Sequence, residues 1–326
     1  MRGLKLVPQD ININFIGLRK LAYVVSAFIV IASLSLTVQR GLNLGIDFTG
    51  GTVIEIRTPV EPNLEGLRGA LNDLNLGSIS IQEFGKTDDL LIRLPEQETP
   101  DGWVKGDEEP NKAAIALVRE ALSEAFEGQK IDYRRVEFVG PQVGEELKLK
   151  GLYAILFSLL GILTYIWFRF EWQFGVAAIV ALTHDALATI GLFALTQLEF
   201  NLSTVAAILM IAGYSINDTV VVFDRIRENL RKYKKKPLPE LFNFSVNQTL
   251  SRTLMTSVTT LLALVALYVF GGEVIRGFVY ALIFGIGIGT YSSIFVASPV
   301  LLMMNIKRGE IAPENKDATA GEPEVI

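Results

Sequence analysis

Three positions in this chain place ionisable side chains inside long apolar runs. Asp218 lies in AGYSINDTVVVF, Arg252 lies at the start of a second run, and His184 and Asp185 adjoin each other near the middle of a third. A charge at the centre of a membrane-spanning helix costs about 2.5 to 3.5 kcal/mol on insertion scales, so such residues normally face other helices and mark ion pathways. The chemistry that these residues favour is reversible protonation.

Asp218 is the principal candidate. If its apolar run ends near Phe223, the carboxylate lies five residues, roughly 8 Å, inside the membrane. Tyr214 and Ser215 precede it by four and three residues and form a polar stripe on the same helix face, whereas Asn217 points elsewhere. The pattern predicts a buried polar face on this helix.

Arg252 lies within the cytoplasmic edge of the next span if that span begins near Leu250. An ion pair between Asp218 and Arg252 is the favoured interpretation, because each charge lowers the cost of burying the other. The alternative is that Arg252 extends to lipid phosphate. Likewise, His184–Asp185 is either a structural pair or a proton relay, since histidine titrates near neutral pH. Protonation of Asp218 would release its partner and so move helices.

Membrane-spanning helices must position these side chains, and the hydropathy pattern predicts six. The chain has 326 residues, 50% of them hydrophobic, and the charged residues fall into a few blocks. A bilayer core about 30 Å thick requires roughly 20 apolar residues in a helix, whereas one soluble core does not need six such runs. A signal peptide is an alternative for the first run, which follows a basic flank. The predicted spans are residues 21–38, 152–168, 175–196, 201–223, 250–270 and 278–304.

Residues 39–150 are predicted to form a water-soluble α+β domain between the first and second spans. The order β-α-β-β-α-β indicates a ferredoxin-like fold. The predicted strands are 52–57, 78–84, 90–94 and 131–139, the helices are 63–75 and 111–127, and residues 95–110 are a loop.

Lysine and arginine cluster in three regions, which the positive-inside rule assigns to the cytoplasm. These are the N-terminus (1–20), a predicted loop at 224–249, and the basic pair at 307–308 that directly precedes the tail (309–326). The α+β domain is then expected in the periplasm or its equivalent. A site for anionic lipid or a ribosome is the alternative interpretation of the basic loop.

Several kinds of site are absent from the sequence. The chain has no cysteine and one histidine, which excludes disulfides and thiolate sites and argues against zinc. It has no G-x-x-x-x-G-K-[ST] motif for ATP. Gly285, Gly287 and Gly289 lie within a span with no strand before them, so they indicate close helix packing and not a dinucleotide site. We therefore expect no enzyme, no cofactor and no nucleic-acid partner, with energy supplied by another subunit or an ion gradient.

Six stretches, in order and spread over nearly the whole chain, resemble the SecD/SecF family of bacterial protein-export membrane subunits. The resemblance omits only the extreme N-terminus, the 95–110 loop and the tail. The stretches are GIDFTGGT (45–52), VGPQVGEELK (139–148), THDALATIG (183–191), IAGYSINDTVVVFDRIREN (211–229), TLSRTLMTSVTTLLAL (249–264) and GTYSSIFVASP (289–299).

The resemblance implies an inner-membrane, six-span relative of the RND transporters with a periplasmic domain after the first span. It implies a stand-alone SecF-like subunit, inactive without SecD, that uses the proton-motive force to draw out preproteins after SecYEG and SecA have started them. YajC and YidC are further candidate partners. The family's proton-pathway residues match Asp218 and Arg252, and a further acidic partner would lie in SecD. Secondary candidates are His184, Asp185, Tyr214 and Asn217.

The GIDFTGG stretch joins the first span to the α+β domain. Its Gly50-Gly51 pair predicts a bend or bulge, and Asp47 serves either that bend or a substrate path.

Two other functions of the protein stay open at this stage. One is an RND-type exporter of small molecules or lipids, and the other is a scaffold of the Sec machinery that transports nothing. Sodium instead of protons is also open.

Overall fold

A computed structural model describes residues 12–77, 79–84, 86–97, 109–272, 275–304 and 306. Ten α-helices and four strands are assigned in these residues. The strands are β1 (Gly51–Arg57), β2 (Ser80–Phe84), β3 (Lys86–Leu94) and β4 (Asp132–Val139). The helices are α1 (Arg19–Arg40), α2 (Ile46–Thr49), α3 (Leu64–Asn72), α4 (Pro110–Ala125), α5 (Pro141–Arg169), α6 (Trp172–Thr196), α7 (Leu202–Lys232), α8 (Leu238–Phe270), α9 (Arg276–Ser292) and α10 (Ser298–Met303).

Six helical segments of the described chain are long and apolar enough to cross a membrane, as predicted: α1, α5, α6, α7, α8, and α9 continued by α10. The segments α6, α7 and α9–α10 are the most buried, whereas α1, α5 and α8 lie outside them. Large apolar side chains on the outer helices are almost fully exposed, among them Phe168 (90%) and Phe270 (86%). Such surfaces require lipid or another protein to cover them, so the chain is a multi-pass membrane protein.

Glycines bring α9 close to α7, as the sequence predicts. A Cβ atom on Gly285 would overlap the side chain of Ile211, and one on Gly289 would lie 3.1 Å from the Cβ of Ser215. Gly287 differs, since nothing lies within 4 Å of its Cβ position. The close-packing interpretation is therefore confirmed for two of the three glycines, which share one helix face.

The last span, predicted at residues 278–304, covers Arg276–Met303 and contains a π-helical turn. This turn, Ser293–Ala297, separates α9 from α10. Pro299 lies in the first turn of α10. It has no N–H to donate and its ring crowds the carbonyl group four residues earlier, so the helix widens just before it. The hydroxyl of Ser298 donates to the carbonyl oxygen of Ser293 (3.1 Å) across this turn.

The prediction of a loop at residues 224–249 is wrong, because most of this segment is helical. Helix α7 continues to Lys232 and α8 begins at Leu238, so only residues 233–237 connect them. The two extensions pack as a hairpin in which Phe242 and Val246 are fully buried, and Asn229 donates to Ser245 at 2.8 Å. Hydropathy marks only the apolar part of a helix, so the prediction missed the extensions. Helix α5, predicted from 152, begins at residue 141 for the same reason.

The segment before α1 lies against the start of α8. The backbone amides of Ile13 and Ile16 donate to the side chains of Asn247 (2.9 Å) and Asn243 (3.2 Å). The described part of the N-terminus and the α7–α8 hairpin therefore share one end of the helical bundle. Residues 1–11 and the tail from residue 307 lie outside the described residues.

The α+β domain has the predicted β-α-β-β-α-β order. Its sheet has the order β2-β3-β1-β4 with antiparallel neighbours, which is the ferredoxin-like arrangement. Helices α3 and α4 cover one face, where Leu71, Val118 and Leu122 are fully buried. On the other face, Val53 and Leu91 pack with Ile46 of α2. Most of the predicted 95–110 loop lies outside the described residues.

Candidate functional site in the membrane interior

Asp185 is at the centre of the buried polar residues of the bundle. It lies in the middle of α6 and is 1% exposed. Its Oδ2 atom accepts hydrogen bonds from Ser215 of α7 (2.6 Å) and Ser292 of α9 (2.7 Å). Its Oδ1 atom is 3.0 Å from Nδ1 of His184, which is also buried. The carboxylate of Asp185 thus connects α6 to α7 and α9 by hydrogen bonds, and these are the three most buried helices.

Asp218 is equally buried but has few hydrogen bonds. Among the described residues, the Thr256 hydroxyl of α8 lies 3.5 Å from Asp218 Oδ1, and Ser257 and Arg252 of the same helix also interact with the carboxylate. Oδ2 of Asp218 has no hydrogen-bond partner within this part of the chain. Tyr214, one turn earlier on α7, has a buried hydroxyl that also lacks a partner. A proton-binding role for Asp218 stays a prediction.

Arg252 does not form the predicted ion pair in this structure. It lies on α8 one turn before Thr256, yet its side chain is exposed on the outside of the described bundle. Near Arg252, the buried residues of α8 include Thr253 and Ser257. The hydrogen bonds that Asp218 accepts from α8 come from hydroxyl groups and not from the guanidinium. A functional role for Arg252 stays a prediction.

Asn217 is exposed on α7, as the helical spacing predicts. The predicted candidates thus divide into an interior group and an outward-facing group. The interior group is Asp185, His184, Asp218 and Tyr214, and the outward group is Asn217 and Arg252.

Sequence reasoning missed the hydroxyl groups of α9. Ser292 bonds to Asp185, and Ser293 lies 2.8 Å from the hydroxyl of Thr219 on α7. Both serines lie where the π-helical turn begins, and such turns frequently mark functional sites. The available signal was two consecutive serines within an otherwise apolar span. Among the described residues, no three His, Asp or Glu side chains come together as metal ligands.

Asp47 links the α+β domain to α7. Its Oδ2 atom accepts a hydrogen bond from the backbone N–H of Leu202 (2.9 Å), at the first residue of that helix. Asn201 caps the same helix end with a 3.1 Å bond to the N–H of Thr204. The predicted bend follows at Gly50 and Gly51, whose φ angles are 73° and 110°. Asp47 therefore caps α7, an outcome that the sequence alone did not predict.

The connection between α6 and α7 is also held by the sheet. Arg93 of β3 forms a 2.8 Å salt bridge with Glu199 and a 3.0 Å hydrogen bond with Asn43. The backbone N–H of Phe200 donates to the carbonyl oxygen of Asn43 (2.8 Å). We call this set of contacts, made by Asn43, Asp47 and Arg93, the domain joint. It fixes the end of the helix that carries Asp218 to the α+β domain.

Comparisons with known proteins agree with this architecture. Residues 118–307 match the family model for the C-terminal region of the protein export membrane proteins SecD and SecF. Residues 36–58, which include Asp47, match the model for the SecD/SecF GG motif.

The chain is 47% identical to a protein translocase subunit SecF from Rickettsia felis over 303 residues, covering 92% of this chain and 94% of that protein. It is 45% identical to a SecF subunit from Rickettsia bellii, covering 94% of this chain and 98% of that protein.

Two solved structures are also similar. The crystal structure of SecDF from Thermus thermophilus, a translocon-associated membrane protein, matches with a TM-score of 0.80 and 38% identity over 92% of this chain. SecDF in its super-membrane-facing form matches with a TM-score of 0.64 and 38% identity over 90% of this chain. This chain spans 39% of the SecDF chain in both cases. On the family model and the SecF identities together, this chain belongs to the SecD/SecF family of protein-export membrane proteins.

Proposed function

We propose that this chain is the SecF subunit of a SecD–SecF complex, which assists protein export by coupling the proton-motive force to the late stage of preprotein translocation. Family membership and 47% identity to a SecF subunit support the export role. It acts as a transport subunit and not as an enzyme, and we expect it to need no cofactor.

One observation carries the proton coupling. Asp218 is 2% exposed within a membrane-spanning helix, yet one of its carboxylate oxygens has no hydrogen-bond partner. Ionised, it would be a charge in a medium of low polarity, offset only in part by Thr256, Ser257 and Arg252 of α8, whereas a bound proton removes that charge. An acid in this state is suited to taking up and releasing a proton that crosses the membrane.

Movement would follow from the helix that bears Asp218. When the carboxylate loses its proton it requires hydrogen-bond donors or a cation, and Thr256, Ser257 and Arg252 of α8 are the groups that interact with it. A shift of α7 toward or away from α8 would reach the α+β domain through the domain joint. The domain, in the periplasm, could then pull or hold an emerging preprotein.

The proposed complex lies in the bacterial inner membrane with both termini in the cytoplasm. The shared location of the N-terminal segment and the basic α7–α8 hairpin supports this orientation. SecD is the proposed direct partner, and the SecYEG channel supplies the preprotein. SecA, YajC and YidC are further proposed partners, acting indirectly or as accessories.

The test is preprotein release in spheroplasts or inside-out vesicles that carry this chain with its SecD, with and without a proton-motive force. We expect Asp218→Asn to lose the gradient-dependent part of release, because an amide cannot exchange a proton. Asp224→Asn is the matched control, since it removes an acid from the same helix at a half-exposed position paired with Arg169. Arg252→Met tests the predicted role of the arginine in the same assay.

Membrane insertion and SecD association must be equal for all variants. If Asp218→Asn releases preprotein as well as the parent chain does in the presence of a gradient, the proton-coupled role is refuted. The scaffold function, in which these residues are dispensable, would then replace it.

A further inference from the structure

The carboxylate of Asp185 is surrounded by hydrogen-bonding groups. Hydroxyl groups from two other helices and one imidazole nitrogen lie around its two oxygens, at 2.6, 2.7 and 3.0 Å. Both hydroxyls are placed to donate to Oδ2, and Nδ1 of His184 can donate to Oδ1 when the carboxylate is ionised. An ionised carboxylate this deeply buried requires a nearby positive charge.

The imidazole of His184 is the group in contact that can supply the charge. Its Nδ1 atom faces Asp185, and in the tautomer that donates through Nδ1 the Nε2 atom carries the lone pair that can bind a proton. This Nε2 is buried and has no hydrogen-bond partner, and the whole residue is only 4% exposed. Proton uptake at Nε2 turns the ring into an imidazolium, and the pair then becomes electrically neutral.

Among the described residues, His184 is the cationic partner in contact with Asp185. On the side of α5, the residues that line the same small cavity as Asp185 are Ile155, Ser158 and Leu159, none of which titrates. On the side of α9, the ring of Tyr291 lies 6.0 Å from the imidazole between ring centres. The titratable residues of α7 nearest in sequence to Ser215, which bonds to Asp185, are Tyr214 and Asp218.

The pair is also connected to Asp218. Ser215, which donates to Asp185, precedes Asp218 by three residues and lies on the same buried face of α7. A change in charge at His184 therefore alters both the electric field at Asp218 and the strength of the bond that holds α7 in register with α6.

We propose that His184 and Asp185 form a second proton-binding site, which takes a proton from the aqueous phase at Nε2 of His184 and is coupled to Asp218 through α7. No covalent bond other than the new N–H is formed. The inference deepens the proposed function, on which its role in transport rests, but proton binding itself can be measured without any transport.

The single histidine of this chain makes the test specific. The full chain, labelled with ¹⁵N-histidine and reconstituted in lipid nanodiscs, gives resonances from His184 alone. Between about pH 9 and pH 5 we expect Nδ1 to stay protonated while the Nε2 resonance moves from the bare to the protonated form. In Asp185→Asn, loss of the negative partner should lower the proton affinity by about tenfold or more.

Two further variants make the result decisive. Thr189→Val removes a hydroxyl that bonds to the backbone oxygen of Asp185 and not to its carboxylate (2.8 Å), and it should leave the titration unchanged. Asp218→Asn should move the titration midpoint, which reports the coupling. If Asp185→Asn does not fold, Ser215→Ala and Ser292→Ala each remove one donor and should move the midpoint instead.

A histidine whose Nε2 does not change protonation over this range would show that the pair is only structural and would overturn the proposal. A midpoint that ignores the folded Asp185 and serine variants would do the same. Both outcomes leave the role of Asp218 untouched, because that role is tested by preprotein release.

Discussion

Replacing Asp47 with alanine removes the side chain that joins the α+β domain to the first residue of α7. The carboxylate accepts the N–H of Leu202 at 2.9 Å, across 155 positions of sequence. The backbone N–H groups of the first helical turn have no partners within the helix, so an outside acceptor stabilises that turn. In Asp47→Ala the Leu202 N–H loses its acceptor.

The size of the effect follows from two contributions. Loss of a capping acceptor costs about 1 kcal/mol, and loss of a negative charge at a helix N-terminus costs about 0.3 to 1 kcal/mol more. The total of about 1 to 2 kcal/mol corresponds to a roughly 5- to 30-fold increase in opening of this turn. Asp47→Asn keeps an acceptor oxygen and loses only the charge, so we expect an increase of about two- to fivefold.

Amide hydrogen exchange followed by mass spectrometry measures this opening directly, in peptides that contain Leu202. The measurement is made on the complex with SecD, so that the joint is in its working environment. Asp132→Ala is a suitable control, because its side chain is 69% exposed on β4 of the same domain. Exchange in that variant should equal exchange in the parent chain near α7.

Equal exchange at Leu202 in Asp47→Ala and in the parent chain would refute the capping role. An equal effect of alanine and asparagine would refute the division between hydrogen bond and charge. If the domain joint transmits movement, Asp47→Ala should also lower gradient-dependent release while Asp218 remains intact.

Two further predictions concern packing. Gly285→Val should lower the thermal unfolding midpoint in detergent, because the new side chain would overlap Ile211 and overpacking costs about 1 to 3 kcal/mol. Gly287→Ala should have little effect on the midpoint, since its Cβ position is open. Equal midpoints for the two variants would contradict the α7–α9 contact. Leu122→Ala should destabilise the α+β domain by about 2 to 5 kcal/mol, because Leu122 is fully buried, and this should appear as faster proteolysis within the domain. Leu117→Ala, at a position 42% exposed, should not speed proteolysis. Similar proteolysis of both variants would refute the core described above.

The elements with strong local patterns were predictable. Six apolar runs required six spans, since unpaired backbone groups in lipid leave few alternatives to a helix. The α+β domain followed from alternating strands such as residues 52–57 and from leucines spaced along two helices. The bend at Gly50 and Gly51 was also predictable, because glycine adopts positive φ at little cost.

The polar ends of helices were not predictable. Hydropathy predicts a loop at the α7–α8 hairpin because it falls where a helix leaves the membrane, although Phe242 and Val246 still form a core there. The π-helical turn had Pro299 as its signal, but the response of the chain to a proline depends on what packs around it.

The apolar runs alone place Asp218, Asp185 and His184 within the membrane, since burial depth follows from position in such a run. The partners of these side chains depend on how the helices pack. That packing exposes Arg252 on α8, leaves one oxygen of Asp218 without a hydrogen-bond partner among the described residues, and surrounds Asp185 with donors from two other helices. Spacing along one helix sets which residues share a face. The contact between the faces of two helices depends on how each helix is rotated and packed, and small residues such as Gly289 control that packing.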